Sequence, residues 1–294
     1  MNAKFATFAT QKPLYVDVTW GAGGSTSDLT IDLCSRIKKD HGMTPNMHLT
    51  CTNMPEELIA KALESAKAEG IRNIVALRGD PPKGQDEWKA AEGGFTCALD
   101  LVKHIRKLYG DYFCLSVAGY PEGHPTVIKK VAQDEELTEA EKKRVVTLED
   151  GDYVCHDSDY AKELAYLKEK VDAGADMIIT QMFFDVEVYI QFVADCRAIG
   201  ISVPILPGLM VVQNYGGFIR MIGFCKSRVP AKLRLELDAV KDDDAAVKAV
   251  GAREGAAMCR RILESGTCGK GLHLYSLNQS EVSFEVLSQL GLKI

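Results

Sequence analysis

Short apolar runs alternate with amphipathic stretches along most of the chain. Segments 14–20, 46–51, 73–77, 112–118, 176–181, 203–208 and 272–277 are dense in aliphatic and aromatic residues and read as buried strands. Between them the apolar spacing predicts helices. The first runs from a cap at Ser27 or Asp28 to about Lys39. The second opens at Pro55 and carries Leu58, Ile59, Ala62, Leu63 and Ala66 on one face before ending near Gly70. Further helices are expected over 95–109, 160–173, 186–199, 215–226, 242–265 and 281–290.

Strand and helix alternating at this spacing imply parallel strands joined by right-handed crossovers. About seven such units favour an α/β fold of the TIM type, a (β/α)8 barrel, over an open doubly wound sheet. One unit is lacking, and because the chain opens almost directly into a strand, the gap is expected at the front. Such a barrel would expose its first and last strand edges, so the chain is expected to aggregate. The rhythm pauses over 126–159, a stretch rich in Glu, Lys and Asp. It is expected to combine a solvated helix near 136–146 with a mobile loop.

Composition narrows the class. With 294 residues, 46% hydrophobic and 26% charged, the profile is that of an ordinary soluble domain. A net charge of −6 argues against a nucleic-acid surface. No apolar run reaches a membrane span, and the start of the chain does not form a signal peptide. Nine cysteines without CxxC pairs, with Cys51, Cys114 and Cys196 in apolar segments, fit a reducing cytoplasm.

Polar residues collect where the strands end. The stretch Asn73-Ile74-Val75-Ala76-Leu77-Arg78-Gly79-Asp80-Pro81-Pro82 runs from a buried strand into a charged turn that prolines force to leave the sheet. Thr19, His48 with Thr50, Tyr120 with His124, Gln181 and Tyr275 hold comparable positions. In parallel α/β folds, ligands bind at the carboxyl ends of strands. No Walker loop, no G-x-G-x-x-G after a strand and no G-x-S-x-G elbow is present, and the helical pair spacing of zinc hydrolases is absent. No metal site is assigned. Taken singly, His48 reads as a satisfied core histidine, Gln181 as a strand-end cap, and Arg78 with Asp80 as a surface ion pair.

The motifs in combination carry a specific resemblance. Asp17-Val18-Thr19-Trp20-Gly21-Ala22-Gly23-Gly24, Met47-His48-Leu49-Thr50-Cys51, Ala76-Leu77-Arg78-Gly79-Asp80-Pro81, Ala118-Gly119-Tyr120-Pro121-Glu122-Gly123-His124-Pro125, and Ala173-Gly174-Ala175-Asp176 leading to Thr180-Gln181 are similar to methylenetetrahydrofolate reductases. Pro207-Gly208-Leu209-Met210 and His273-Leu274-Tyr275-Ser276-Leu277-Asn278 extend the similarity, in the same order, from Pro13 to about Leu292.

The resemblance implies a single FAD-binding barrel domain over 1–294, with 126–159 as an insertion. It also implies a reaction in which NADH or NADPH reduces FAD, which passes a hydride to 5,10-methylenetetrahydrofolate to give 5-methyltetrahydrofolate. Thr19, His48, Arg78, Gly79, Asp80, Cys97, Ala98, Tyr120, His124, Glu163 and Lys170 fall at its FAD-contacting positions. Asp80, Gln181, Tyr275 and Gln279 fall at folate-contacting ones, and Asp80 is the residue expected to act near both rings. A homo-oligomer is expected.

Departures set the alternative. The family's first strand carries Phe-Glu-Phe-Phe-Pro-Pro, whose Glu is the general acid. Nothing corresponds to it here, and Met1 to Lys12 resembles the tail of the following helix. The alternative is therefore a non-catalytic FAD- or folate-binding remnant or interaction subunit. Glu163 stands for an Asp, Cys97 for a Tyr, Gln279 for a folate-contacting Arg, and Val211 for a Pro. No regulatory domain is expected after Ile294.

Overall fold

A computed structural model describes residues 2–21, 27–81, 84–85, 87–269 and 271–292. Most of the glycine-rich turn after the first strand, and Pro82, lie outside them. In chain order the elements are α1 (Asn2–Ala9), β1 (Val16–Val18), α2 (Ser27–His41), β2 (Pro45–Thr50), α3 (Glu56–Ala68), β3 (Asn73–Leu77), α4 (Ala98–Tyr109) and β4 (Cys114–Gly119). Then come β5 (Ile128–Lys130), α5 (Glu139–Arg144), β6 (Val146–Leu148), β7 (Gly151–Cys155), α6 (Asp157–Asp172), β8 (Met177–Thr180) and α7 (Val186–Ala198). The chain continues through β9 (Ile205–Leu206), β10 (Gly208–Met210), α8 (Tyr215–Cys225), α9 (Ala231–Ala239), α10 (Asp244–Ser265), β11 (His273–Tyr275) and α11 (Glu281–Gln289).

The main sheet runs β1-β2-β3-β4-β8-β9. β1, β2, β3 and β4 pair in parallel, each next to its predecessor. β8 runs the same way as β4, since Asp176 N–H bonds Leu115 O at one end and Gln181 N–H bonds Gly119 O at the other. β10 and β11 form a separate parallel pair. This is an α/β fold built on a parallel sheet. Among the described residues no helix is long and apolar enough to cross a membrane.

The chain divides into two compact units, the first taking residues up to Ala118 together with Glu169–Ile178, the second Gly119–Lys168 and the described residues from Ile179 on. In the first, β2 and β3 bury Met47, Leu49, Ile74 and Ala76, while α3 lays Ile59, Ala62, Leu63 and Ala66 inward as its 3.6-residue spacing dictates. At the amino ends of its strands Arg106 donates to the carbonyls of Gly174, Gly110 and Phe113 and to the Asp176 carboxylate. In the second, a cluster including Met182, Phe184, Met210, Val212, Phe218, Ile222, Leu233 and Leu237 forms the core between α8, α9 and the strand ends.

Three expectations are corrected. The 126–159 stretch does carry a helix in the expected place, α5 over Glu139–Arg144, but the remainder is not a mobile loop: it is an antiparallel three-stranded sheet, β5-β7-β6. Ile128, Val146, Val154 and Cys155 supply its buried face. Thr138 and Glu141 form a capping box that starts α5, and Arg144 pairs with Asp157 at the far end of the insertion. The strand expected over 203–208 is two, because Pro207 cannot continue a ladder and separates β9 from β10. Helix α9, following Pro230, had not been expected.

Candidate functional site

In the first unit, β1 and β2 build one polar cluster. Asn46, His48 and Thr50 alternate along β2 and so share a face. Asp17 of β1 accepts from the Asn46 amide at 2.7 Å and meets His48 Nε2 at 3.2 Å. His48 thus does have a satisfying partner, and that partner, Asp17, was not singled out from sequence. Thr19, immediately after β1, is exposed, and its carbonyl accepts from Thr30 at 3.3 Å. Trp20 Nε1 and Thr50 Oγ1 are buried without a hydrogen-bond partner.

The turn after β3 is held from two sides. The Thr52 hydroxyl donates to the Asp80 carbonyl at 2.9 Å and accepts from Trp88 Nε1 at 2.8 Å. The Arg78 guanidinium lies 5.3 Å from the Trp88 ring centroid, within cation–π range. Gly79 has φ +89, and a Cβ there would sit 2.5 Å from Thr52 Oγ1 and 2.9 Å from Thr50 Cβ, so both conformation and space exclude a side chain. The Asp80 side chain is exposed.

Cys97 precedes α4 in an extended conformation, its carbonyl accepting from Cys51 Sγ at 3.6 Å, and Ala98 begins the helix in a buried position. Burial pushes the Cys51 thiol up to about 12, which removes it as a nucleophile at neutral pH. Lys170, buried on α6, donates to the Ala118 carbonyl at 2.8 Å.

In the second unit, Tyr120 directly follows β4, and its ring meets His124 edge-on at 4.8 Å. His124 Nδ1 lies 2.7 Å from Thr126 Oγ1. Glu163 is half-buried on α6. Gln181 directly follows β8, and its side-chain oxygen accepts from Met182 N–H at 2.9 Å, the capping role its position suggested.

Thr180 joins Gln181 to Tyr275. Its carbonyl accepts from the Tyr275 hydroxyl at 2.8 Å, and its own hydroxyl accepts from Gly208 N–H at 2.9 Å, linking β8, β10 and β11. Gln213, missed from sequence, donates to the carbonyls of Ser276 and Gln279 at 3.2 Å and 3.1 Å. It holds a turn in which Leu277 (φ 48) and Asn278 (φ 61) both take the left-handed region. The Gln279 side chain is exposed.

Each unit therefore carries polar residues at the carboxyl ends of parallel strands, the end at which α/β folds bind their ligands, and the fold is of the α/β class. A family model described as methylenetetrahydrofolate reductase matches residues 2–291, and the chain belongs to that family. It is 50% identical over 280 residues to methylenetetrahydrofolate reductase (NADH) 1 of Arabidopsis thaliana, covering 95% of this chain and 43% of that protein. It is 34% identical to the 5,10-methylenetetrahydrofolate reductase of Pectobacterium carotovorum subsp. carotovorum, covering 96% of this chain and 81% of that protein.

The chain thus spans well under half the length of its plant relative. Among solved structures, an uncharacterized protein from Clostridium thermocellum that binds two copies of 5-methyl-5,6,7,8-tetrahydrofolic acid aligns with a TM-score of 0.51 over 99% of this chain and 98% of that one. At 13% identity this likeness shows the fold alone.

Proposed function

We propose that this chain is the flavin-bearing catalytic part of a 5,10-methylenetetrahydrofolate reductase. On this reading the parallel sheet belongs to a (β/α)8 barrel. The protein binds FAD, accepts a hydride from NADH or NADPH, and delivers it to 5,10-methylenetetrahydrofolate to give 5-methyltetrahydrofolate. One observation carries the reading: Thr19, Arg78, Tyr120 and Gln181 directly follow β1, β3, β4 and β8, and Tyr275 ends β11. Family membership is what supports assigning a folate and its reductant to those strand ends.

The residues present fit the cofactor. Thr50 Oγ1 and Trp20 Nε1 are polar atoms without a protein partner at the ends of β2 and β1, and Gly79 keeps side-chain bulk away from Thr50. Arg78 and Lys170 are the cations suited to its pyrophosphate. FAD, when bound, supplies hydride transfer, which no amino-acid side chain can perform.

The protein's own groups bind and orient. Thr19, His48 and His124 offer hydrogen bonds to sugar and phosphate oxygens, Tyr120 offers a ring face, and Cys97, Ala98 and Glu163 line the cofactor. The exposed Asp80 carboxylate accepts pterin N–H groups and disfavours additional negative charge beside it. Gln181 and Tyr275, tied to Thr180, and the exposed Gln279 are the remaining residues assigned to the folate.

FAD titration of the purified chain tests this directly. Arg78→Ala is expected to weaken binding about tenfold, the loss of one charge-assisted contact. Absence of saturable FAD binding by the unaltered chain would overturn the reading.

A further inference from the structure

Glu122 lies two residues from both Tyr120 and His124 and has no part in the reading above. It is among the most deeply buried charged residues, with 4% of its surface exposed. Its carboxyl accepts from the Arg228 backbone N–H at 2.7 Å and faces the Ser227 hydroxyl. Ser227 and Arg228 form the turn that leaves α8, where Lys226 takes a left-handed conformation. From that turn the Arg228 guanidinium reaches Asp185 at 2.8 Å, ahead of α7, and the Val145 carbonyl of the insertion at 2.8 Å. Gly123 beside it has φ +99 and lies against Cys155, so the loop can follow this path only with glycine there.

We infer that Glu122 is a positioning residue: its buried carboxyl fastens the 119–125 loop to the 227–228 turn and so sets where Tyr120 and His124 stand. The inference rests on the FAD reading for what those two residues hold.

The fastening depends on a proton. With Glu122 neutral, Arg228 and Asp185 balance one another. With Glu122 ionised, the same enclosed group carries one uncompensated negative charge. Burial first, opposed by the Arg228 N–H bond and reinforced by the Asp185 charge, raises its pKa to about 8. Cys155, Arg228 and Lys226, the pKa of the last lowered by burial, stand near the loop, which itself carries His124. Cys155, raised by burial to about 11, keeps its proton, and Arg228 keeps its charge. Rising pH is therefore expected to loosen the loop and weaken FAD binding while the rest of the fold stands.

The test pairs hydrogen exchange over 119–125, corrected for intrinsic pH effects, with FAD titration between about pH 7 and about pH 9. In the unaltered chain, loop protection falls as pH rises, and the FAD dissociation constant increases about tenfold. In Glu122→Gln, which stays uncharged, both profiles flatten. Asp185→Asn keeps the helix cap but removes the neighbouring charge, so its transition moves to lower pH, and this variant serves if Glu122→Gln fails to fold. Loop protection independent of pH in the unaltered chain would overturn the inference. A pH-dependent loop in a chain that binds no FAD would support the fastening and overturn only the cofactor reading.

Discussion

The Asp17 carboxylate stands 3.2 Å from His48 Nε2 and 2.7 Å from the Asn46 amide, joining β1 to β2 through side chains as well as backbone. Asn46 is 1% exposed, so its amide has no water to replace a lost acceptor. Asp17→Ala is expected to cost about 1–3 kcal/mol of stability, measured by urea unfolding. It is also expected to weaken FAD binding, because His48 then loses the partner that orients its ring. An unchanged FAD affinity in a folded Asp17→Ala protein would separate His48 from the cofactor.

Thr52 gives a second prediction. A valine there keeps the shape but removes the hydroxyl between Trp88 and the Asp80 carbonyl. Thr52→Val is expected to lower stability by about 1–3 kcal/mol and to raise the FAD dissociation constant about tenfold through Arg78 and Asp80, neither of which it alters directly. Loss of stability with unchanged FAD affinity would show that the turn's order does not matter to the ligand.

Arg106 supplies the contrasting case. It holds three carbonyls and the Asp176 carboxylate at the amino ends of β4 and β8, the opposite strand ends from those that Arg78, Tyr120 and Gln181 follow. Arg106→Ala leaves that carboxylate without its cation and the carbonyls without donors. A loss of about 1–3 kcal/mol is expected in urea unfolding, with FAD affinity per folded molecule unchanged.

Acid acts on the insertion in the opposite sense to Glu122. Hydrogen bonds from Lys129 and then Lys162 lower Asp159 to about 2. A carboxylate with a depressed folded-state pKa contributes stability in full above the ordinary carboxylate range and loses it as pH falls through about 2. The Lys129 tie between β5 and α6 is therefore expected to survive mild acid. Hydrogen exchange should show β5 protected in Asp159→Glu and frayed in Asp159→Ala.

The elements legible in the sequence were those with long apolar runs. β2, β3, β4 and β8, and the polar residues just beyond them, follow from periodicity and from Pro and Gly punctuation. The sheet of the insertion was not legible. β5 and β6 have three residues each, and Lys129 and Lys130 face water, so no alternation is long enough to register. α9 buries only Leu233 and Leu237, too few to mark a face. The supporting residues were hidden for a different reason. Glu122 and Arg228 are 106 positions apart, Gln213 and Ser276 are 63, and Thr52 and Trp88 are 36, so only the fold brings them together.

The most direct measurement is the visible absorption of the chain loaded with FAD, first under anaerobic NADH or NADPH and then with 5,10-methylenetetrahydrofolate added. Bleaching by the nicotinamide is the predicted result; recovery on adding the folate would require another group in the place of the family's general acid, which has no counterpart in this sequence. A flavin that binds but is not bleached by either nicotinamide would contradict the account.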